Sequence, residues 1–119
     1  MRRTGLCAAG MIVLLLVLAP HGGRAFSVTT GKHLLQYAKE WKKNEEGRKA
    51  SAAEVGFYFG YVWGMAESLY FAKSVHIPKT ASRDRLERIV FQYLQSHPSE
   101  LHYPACILIE DAFRKAFSR

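Results

Sequence analysis

The fold is decided by residues 51–72, which read SAAEVGFYFGYVWGMAESLYFA. Ser51 with Glu54 three positions later fits a capping box, in which the two side chains satisfy backbone N–H groups of the first helical turn. Between Glu54 and the end of the stretch the only charged residue is Glu67. A helix that is apolar around its whole circumference is usually a central, buried one. The stretch therefore predicts a helix over residues 52–72 at the centre of the fold.

Three further segments carry apolar residues at helical spacing, and none alternates with a period of two for long enough to predict a strand. They are predicted as helices over residues 31–43, 82–96 and 103–117. Thr29 or Thr30 can cap the first of them, Pro98 ends the second, and Pro104 suits the first turn of the last. Because the connections are short, we expect an all-α fold: a compact orthogonal bundle of four helices, or of five with a short extra turn.

The start of the chain has the pattern of a secretory signal peptide. Two arginines at positions 2 and 3 precede an uncharged run over 6–19, and Gly23 and Ala25 place small residues at the −3 and −1 positions of a cut before Phe26. The run is short for a membrane span, which needs about 20 apolar residues. We therefore expect residues 1–25 to be a cleaved signal peptide, residues 26–119 to be the mature domain, and the protein to be periplasmic or secreted. An uncleaved N-terminal anchor is the alternative.

Charge and cysteine content argue against several classes of protein. The leader holds three of the 17 basic residues and none of the 10 acidic ones, so the mature domain has a net charge of about +4. Its basic residues over 42–49 are interleaved with glutamates, which argues against a nucleic-acid partner. Cys106 is its only cysteine, so no disulfide forms within the domain. No phosphate loop, metal-ligand set or catalytic arrangement occurs at a recognised spacing, so we expect a binding protein without enzyme activity, cofactor or metal.

Three glycines, Gly56, Gly60 and Gly64, recur every four residues on the central helix and form one stripe. Each glycine in a helix interior costs roughly 0.5–1 kcal/mol relative to alanine, which indicates that another backbone approaches closely. The alternatives are a tight helix crossing inside the monomer, the contact of a homodimer, and a dimer face embedded in a membrane. Glu67 lies on the same stripe and argues against the membrane alternative, because a carboxylate inside a bilayer is costly. We expect it to be half-exposed or paired with an arginine.

Three stretches of the mature domain carry a family pattern. The first is Gly31–Leu35, at the start of the first helix. The second is residues 59–67, FGYVWGMAE, and the third and longest runs from Ile77-Pro78 through Ser96-His97-Pro98 and His102-Tyr103-Pro104-Ala105 to Ala116-Phe117. In order and spacing they resemble the Rap1a/Tai family of type VI secretion immunity proteins, whose Gly-Tyr-x-x-Gly-x-x-acid helix is similar to the second stretch. The resemblance covers most of residues 31–117.

The resemblance implies an all-helical periplasmic protein, often dimeric, that binds a cell-wall amidase effector and blocks its catalytic cleft. The loops expected to enter the cleft are 73–81 or 95–103. Their candidate contact residues are Lys73, His76, Lys79, His97, Glu100 and His102. Family members usually carry paired cysteines, and the matching positions here hold Ala38, Tyr58, His76 and Arg119. A general periplasmic helper, such as a small stress chaperone with an unknown partner, is the alternative function.

Overall fold

The computed structural model describes residues 25–118, so the predicted signal peptide, apart from its last residue, and Arg119 lie outside the described residues. Within this range the chain forms four α-helices and one 3-10 turn, and no named strand. They are α1 (Gly31–Glu45), α2 (Ala52–Phe71), α3 (Arg83–Ser96), the 3-10 turn η1 (Pro98–Glu100) and α4 (Ala105–Ala116). The expected all-α bundle is confirmed, and each predicted helix boundary lies within two residues of the observed one.

Side-chain caps start three of the four helices. Thr30, Ser51 and Ser82 each accept a hydrogen bond from the backbone N–H three residues further on, at 3.5, 3.4 and 3.1 Å respectively. A cap of this kind stabilises a helix by about 1 kcal/mol. The carboxylate of Glu40 on α1 also accepts from the N–H of Ser51 at 3.0 Å, which ties α1 to the start of α2. The expected caps Thr30 and Ser51 are therefore in place, but the capping box of α2 is incomplete, because the carboxylate of Glu54 accepts from the Gln36 amide and not from the N–H of Ser51.

The core lies where the four helices meet, and every pair of helices is in contact. Its largest fully buried side chains include Trp41 of α1, Tyr58 of α2, Leu94 of α3 and Phe113 of α4. The Trp41 ring packs against the rings of Tyr58 and Phe91, with centroids 5.5 and 5.6 Å apart. Full burial of one large apolar side chain contributes about 1.5–3 kcal/mol. A single core contributed by all four helices thus holds the bundle together.

The start of α1 packs closely against the segment that joins η1 to α4. The N–H groups of Gly31 and Lys32 donate to the carbonyl oxygens of Tyr103 and Leu101, both at 2.9 Å. A Cβ on Gly31 would lie 3.1 Å from the carbonyl oxygen of Leu101 and would meet the side chain of Leu108. Two backbones therefore approach closely at Gly31, a glycine for which the sequence predicted no such role.

The α2 helix buries one face and exposes the opposite one. The buried residues are Val55, Tyr58, Val62, Ala66 and Leu69. By contrast Gly56, Gly60 and Gly64 are exposed, and a Cβ added to any of them would have no neighbour within 4 Å among the described residues. Of the alternatives for the glycine stripe, a tight crossing within the described chain is therefore excluded, and the expected burial of α2 on all sides is wrong. The chain leaves open the face on which the side chains are smallest.

Candidate functional site

The exposed side of α2 combines small and aromatic residues. Gly56, Gly60 and Gly64 run along it, and the neighbouring Phe57 and Phe71 are 43% and 77% exposed. At 100° per residue these five positions fall within an arc of about 100°. We call this surface the glycine face. Contiguous exposed apolar surface on a small protein is typical of a site where a partner binds.

Glu67 on the glycine face is exposed and forms no salt bridge within residues 25–118. The three candidate arginines contact other groups: Arg88 pairs with Asp84, Arg114 pairs with Glu110, and Arg85 lies over the Phe117 ring. Of the two expectations for Glu67, a partly exposed acid or a pair with an arginine, the structure supports the exposed acid. In this same range, no helix has both the length and the apolar content needed to cross a bilayer.

The α2 helix ends at a residue with unusual backbone geometry. Lys73 adopts a left-handed conformation with φ 56°. Its N–H donates to the carbonyl oxygen of Tyr70 at 3.2 Å, and the N–H of Ser74 donates to that of Leu69 at 3.1 Å. These two bonds form a Schellman motif, in which the left-handed position is usually glycine because a side chain there costs roughly 1–2 kcal/mol. A lysine is thus fixed at this corner in spite of the cost.

The connection from α2 to α3 forms a groove of about 630 Å³, which we call the α2–α3 groove. Val75 and Ile77 are buried and anchor the connection to the core, while His76 and Lys79 stay exposed. The groove is lined by Tyr70, Phe71, Lys73, Val75, His76, Ile77, Pro78 and Lys79. None of these lining residues is acidic. The structure therefore brings together the three residues predicted on the first loop, around an apolar floor.

The residues predicted on the second loop do not form one site. The His97 ring stacks on the Tyr93 ring with centroids 3.9 Å apart, and its Nδ1 lies 2.8 Å from the carbonyl oxygen of Tyr93. The Tyr93 hydroxyl donates to the carboxylate of Glu100 at 3.3 Å. Burial and, after it, the charge of Glu100 raise the pKa of Tyr93. His97 and Glu100 thus brace the corner after α3, and of the three residues predicted on this second loop only His102 is exposed.

His102 belongs to a second groove, of about 700 Å³, between α1 and η1. Lys32 and Lys39 supply its other basic side chains, and Leu35 and Leu101 supply apolar surface. The sequence did not predict this grouping, because its members come from two segments about 60 residues apart. Helical spacing on α1 could place Lys32 and Lys39 on one face, but nothing local brings His102 to them.

Glu87 of α3 is a buried acid that the sequence interpretation missed. It lies three, four and seven residues before Val90, Phe91 and Leu94, which are all buried. That spacing places Glu87 on the core face of α3. It is the sequence signal from which the burial of this acid could have been predicted. Its backbone carbonyl accepts a hydrogen bond from the buried hydroxyl of Tyr58 at 2.5 Å.

Residues 25–118 include potential metal ligands and one free thiol. In this part of the chain, no three His, Cys, Asp or Glu side chains are grouped so that they could hold a metal ion. Cys106 on α4 is a free cysteine and is partly buried. The prominent features of the described surface are therefore the glycine face and the two basic grooves, which are surfaces suited to binding.

The sequence model of the Rap1a immunity proteins matches residues 30–118. The match covers most of the chain and all four helices, so the chain belongs to the Rap1a immunity protein family. Membership implies a type VI secretion immunity protein, one that binds an effector protein, and proteins of this family are usually periplasmic. The family predicted from the three sequence stretches is thereby confirmed. No curated protein matches the chain, and no solved structure matches it.

Proposed function

We propose that this protein is a periplasmic immunity protein that inhibits a cognate cell-wall amidase effector, by covering the effector's active-site cleft with the α2–α3 groove and its rim. The observation that carries the proposal is the rim of this groove, where basic and aromatic side chains lie side by side. Lys73 and Lys79 are held beside Tyr70 and Phe71 by a connection that Val75 and Ile77 anchor in the core. The family match supports a protein partner, and the groove supplies a surface for it.

Rigidity is the property that makes this groove suitable for inhibition. A surface that is already in its bound conformation loses little entropy on binding, so more of the contact energy appears as affinity. The Schellman bonds at Lys73 and the buried side chains of Val75 and Ile77 fix the backbone on both sides of His76. Exposed aromatic side chains next to charged ones are the usual composition of the residues that dominate a protein interface. Phe71 is the best placed of these.

Charge defines the partner surface. The lining of the α2–α3 groove is basic and apolar without an acid, so the effector surface that fits it carries carboxylates around an apolar centre. Opposite charges across an interface raise the association rate and discriminate against wrong partners. Export directed by the predicted signal peptide, with cleavage before Phe26, would place the domain in the compartment in which a cell-wall amidase acts.

The glycine face supports a homodimer. Its three glycines together cost α2 roughly 1.5–3 kcal/mol relative to alanine, and no neighbour within the described chain uses the space that they leave. In a symmetric dimer the same face serves both copies, so one stripe of small residues is enough to bring two α2 helices together. Phe57 would be covered at the edge of that contact, which leaves Phe71, at the end of α2, to the α2–α3 groove.

A general periplasmic helper is the second candidate, and the exposure of Phe57 and Phe71 is the observation that favours it. A helper would keep many unfolded clients from aggregating, whereas an immunity protein has one folded partner. The anchored backbone of the α2–α3 groove favours the latter, because binding of many clients usually relies on adaptable surfaces.

The test is inhibition of a purified amidase by the mature protein, residues 26–119. The candidate amidase is the product of the neighbouring gene. We expect its hydrolysis of peptidoglycan to stop at an equimolar ratio of the two proteins, since inhibition by occlusion is stoichiometric. Full activity of the amidase at a tenfold excess, together with suppression of aggregation of unrelated proteins, would favour the helper instead.

A further inference from the structure

The junction of α1, α2 and α3 encloses a carboxyl group without a partner. The Glu87 side chain is 4% exposed. Its Oε2 atom has no hydrogen bond among the described residues, and neither have the buried indole Nε1 atoms of Trp41 and Trp63. These three atoms come from three different helices, so the polar cluster lies where α1, α2 and α3 meet. A buried polar group that lacks a partner costs roughly 1–3 kcal/mol, and more if it is charged.

The surroundings of Glu87 favour the neutral acid over the carboxylate. The charged groups that act on it are both acidic: Asp84, one turn earlier on α3, and Glu45 at the end of α1. From α2 it is faced by uncharged groups, Tyr58 and Trp63. No cation pairs with it: the guanidinium of Arg88 binds Asp84, and that of Arg83 lies 4.2 Å above the Trp63 ring.

Burial, followed by the charges of Asp84 and Glu45, raises the pKa of Glu87 to about 7. The indole N–H groups of Trp63 and Trp41 lie near enough to oppose this rise. They do not overcome it, because neither makes a hydrogen bond of proper geometry with the carboxyl group.

We propose that Glu87 is a proton-sensitive latch of the fold: its neutral acid fits the junction of α1, α2 and α3, and its ionisation weakens the packing of α3 against Trp41 and Trp63. This inference concerns stability and stands independently of the partner. In acidic surroundings the junction holds the neutral acid and the bundle keeps its full packing. Above neutral pH the junction holds a buried anion, and α3 binds the other helices less tightly.

The direction of the pH effect follows from proton linkage. In the unfolded chain Glu87 has the ordinary glutamate pKa of 4.5, and in the fold it holds its proton to about pH 7. Its contribution to stability is therefore complete below 4.5 and is lost as the pH rises to about 7. The pH dependence of stability due to Glu40 has the opposite sign, because the hydrogen bonds from Lys43 and from the N–H of Ser51 lower the pKa of Glu40. The stability due to Glu40 is present above 4.5 and is lost on acidification, so the two effects occupy different pH ranges.

The test compares the wild-type mature protein with Glu87→Gln by urea unfolding at pH 5 and pH 8. Glutamine keeps the size of the side chain and removes the titration. The informative quantity is the difference between the two proteins, because contributions that both share cancel. Between pH 5 and pH 8 we expect the folding constant of the wild type to fall roughly 70-fold more than that of Glu87→Gln. Glu46→Gln, at an exposed acid after α1, is the control and should follow the wild type.

A second measurement covers the case in which Glu87→Gln does not fold. The side-chain carboxyl carbon of Glu87 in the labelled wild-type protein can be followed by NMR as a function of pH. A midpoint near 7 supports the latch. A midpoint near 4.5, or a wild type and Glu87→Gln with the same dependence on pH, overturns it.

Discussion

Gly31 shows how differently two glycines act within one chain. A Cβ at this position would overlap the Leu108 side chain and lie 3.1 Å from the carbonyl oxygen of Leu101, whereas one at Gly56 would meet no described atom within 4 Å. Both are helical glycines, and the sequence gives no sign of the difference. A backbone approach at Gly31 depends on where residues 101–108 lie, which only the complete fold determines.

Alanine substitution at these two glycines should have opposite effects on stability. Gly31→Ala should lower the free energy of unfolding by about 1–3 kcal/mol, because the carbonyl of Leu101 belongs to a hydrogen-bonded backbone that cannot shift freely. Gly56→Ala is the control and should raise it by about 0.5–1 kcal/mol, since alanine favours an exposed helix. Urea unfolding measures both. Equal stability of Gly31→Ala and the wild type would contradict the close approach.

Lys73 carries a conflict between stability and binding. Lys73→Gly relieves the left-handed backbone and should stabilise the protein by about 1 kcal/mol, while the loss of its charge should weaken binding of the effector. Lys73→Ala is the matched control, because it removes the same charge but keeps a Cβ at the strained position. It should bind as weakly as Lys73→Gly without the gain in stability. Unchanged binding by both variants would remove Lys73 from the partner surface.

At the scale of the elements, the helices were predictable because their signals are local. Ser51 with Glu54 marks the start of α2, and Pro98 marks the end of α3, so the boundaries follow from a few neighbouring residues. The faces of α1 and α4 also follow from helical spacing. The buried face of α2 does not, because apolar residues surround the whole helix and the period carries little information. Burial of Tyr58 and exposure of Phe57 are decided by the other three helices.

The glycine face makes a prediction about assembly. Gly60 lies in the middle of the stripe, so Gly60→Leu should prevent two α2 helices from approaching and should convert a dimer into a monomer in light scattering. The fold should persist, because Gly60 is exposed and a Cβ built there has no described neighbour within 4 Å. Gln92→Leu, at an exposed position on α3, is the control and should leave the mass unchanged. A wild-type protein that is monomeric at high concentration, or a dimer that survives Gly60→Leu, would contradict the dimer contact.

At the scale of the whole molecule, the connections explain why only part of the site was predictable. Lys73, His76 and Lys79 lie within seven residues of one another, so one short connection keeps them together. His97, Glu100 and His102 are as close in sequence, but η1 turns between them, so that His97 and Glu100 contact Tyr93 while His102 lies in the second groove. Residues that are close in sequence therefore share one surface in the connection 73–79, where the backbone runs along the groove, but not over 97–102, where η1 turns the chain.

The central claim is that the α2–α3 groove binds the effector, and calorimetric titration of the cognate amidase tests it most directly. The variant Lys73→Glu/Lys79→Glu should weaken binding at least about tenfold, because it reverses the charge of the groove. Arg48→Glu/Lys49→Glu makes the same change in net charge on the connection from α1 to α2 and should bind within about twofold of the wild type. The account is contradicted if the groove variant binds as tightly as the wild type, or if both double variants lose affinity equally.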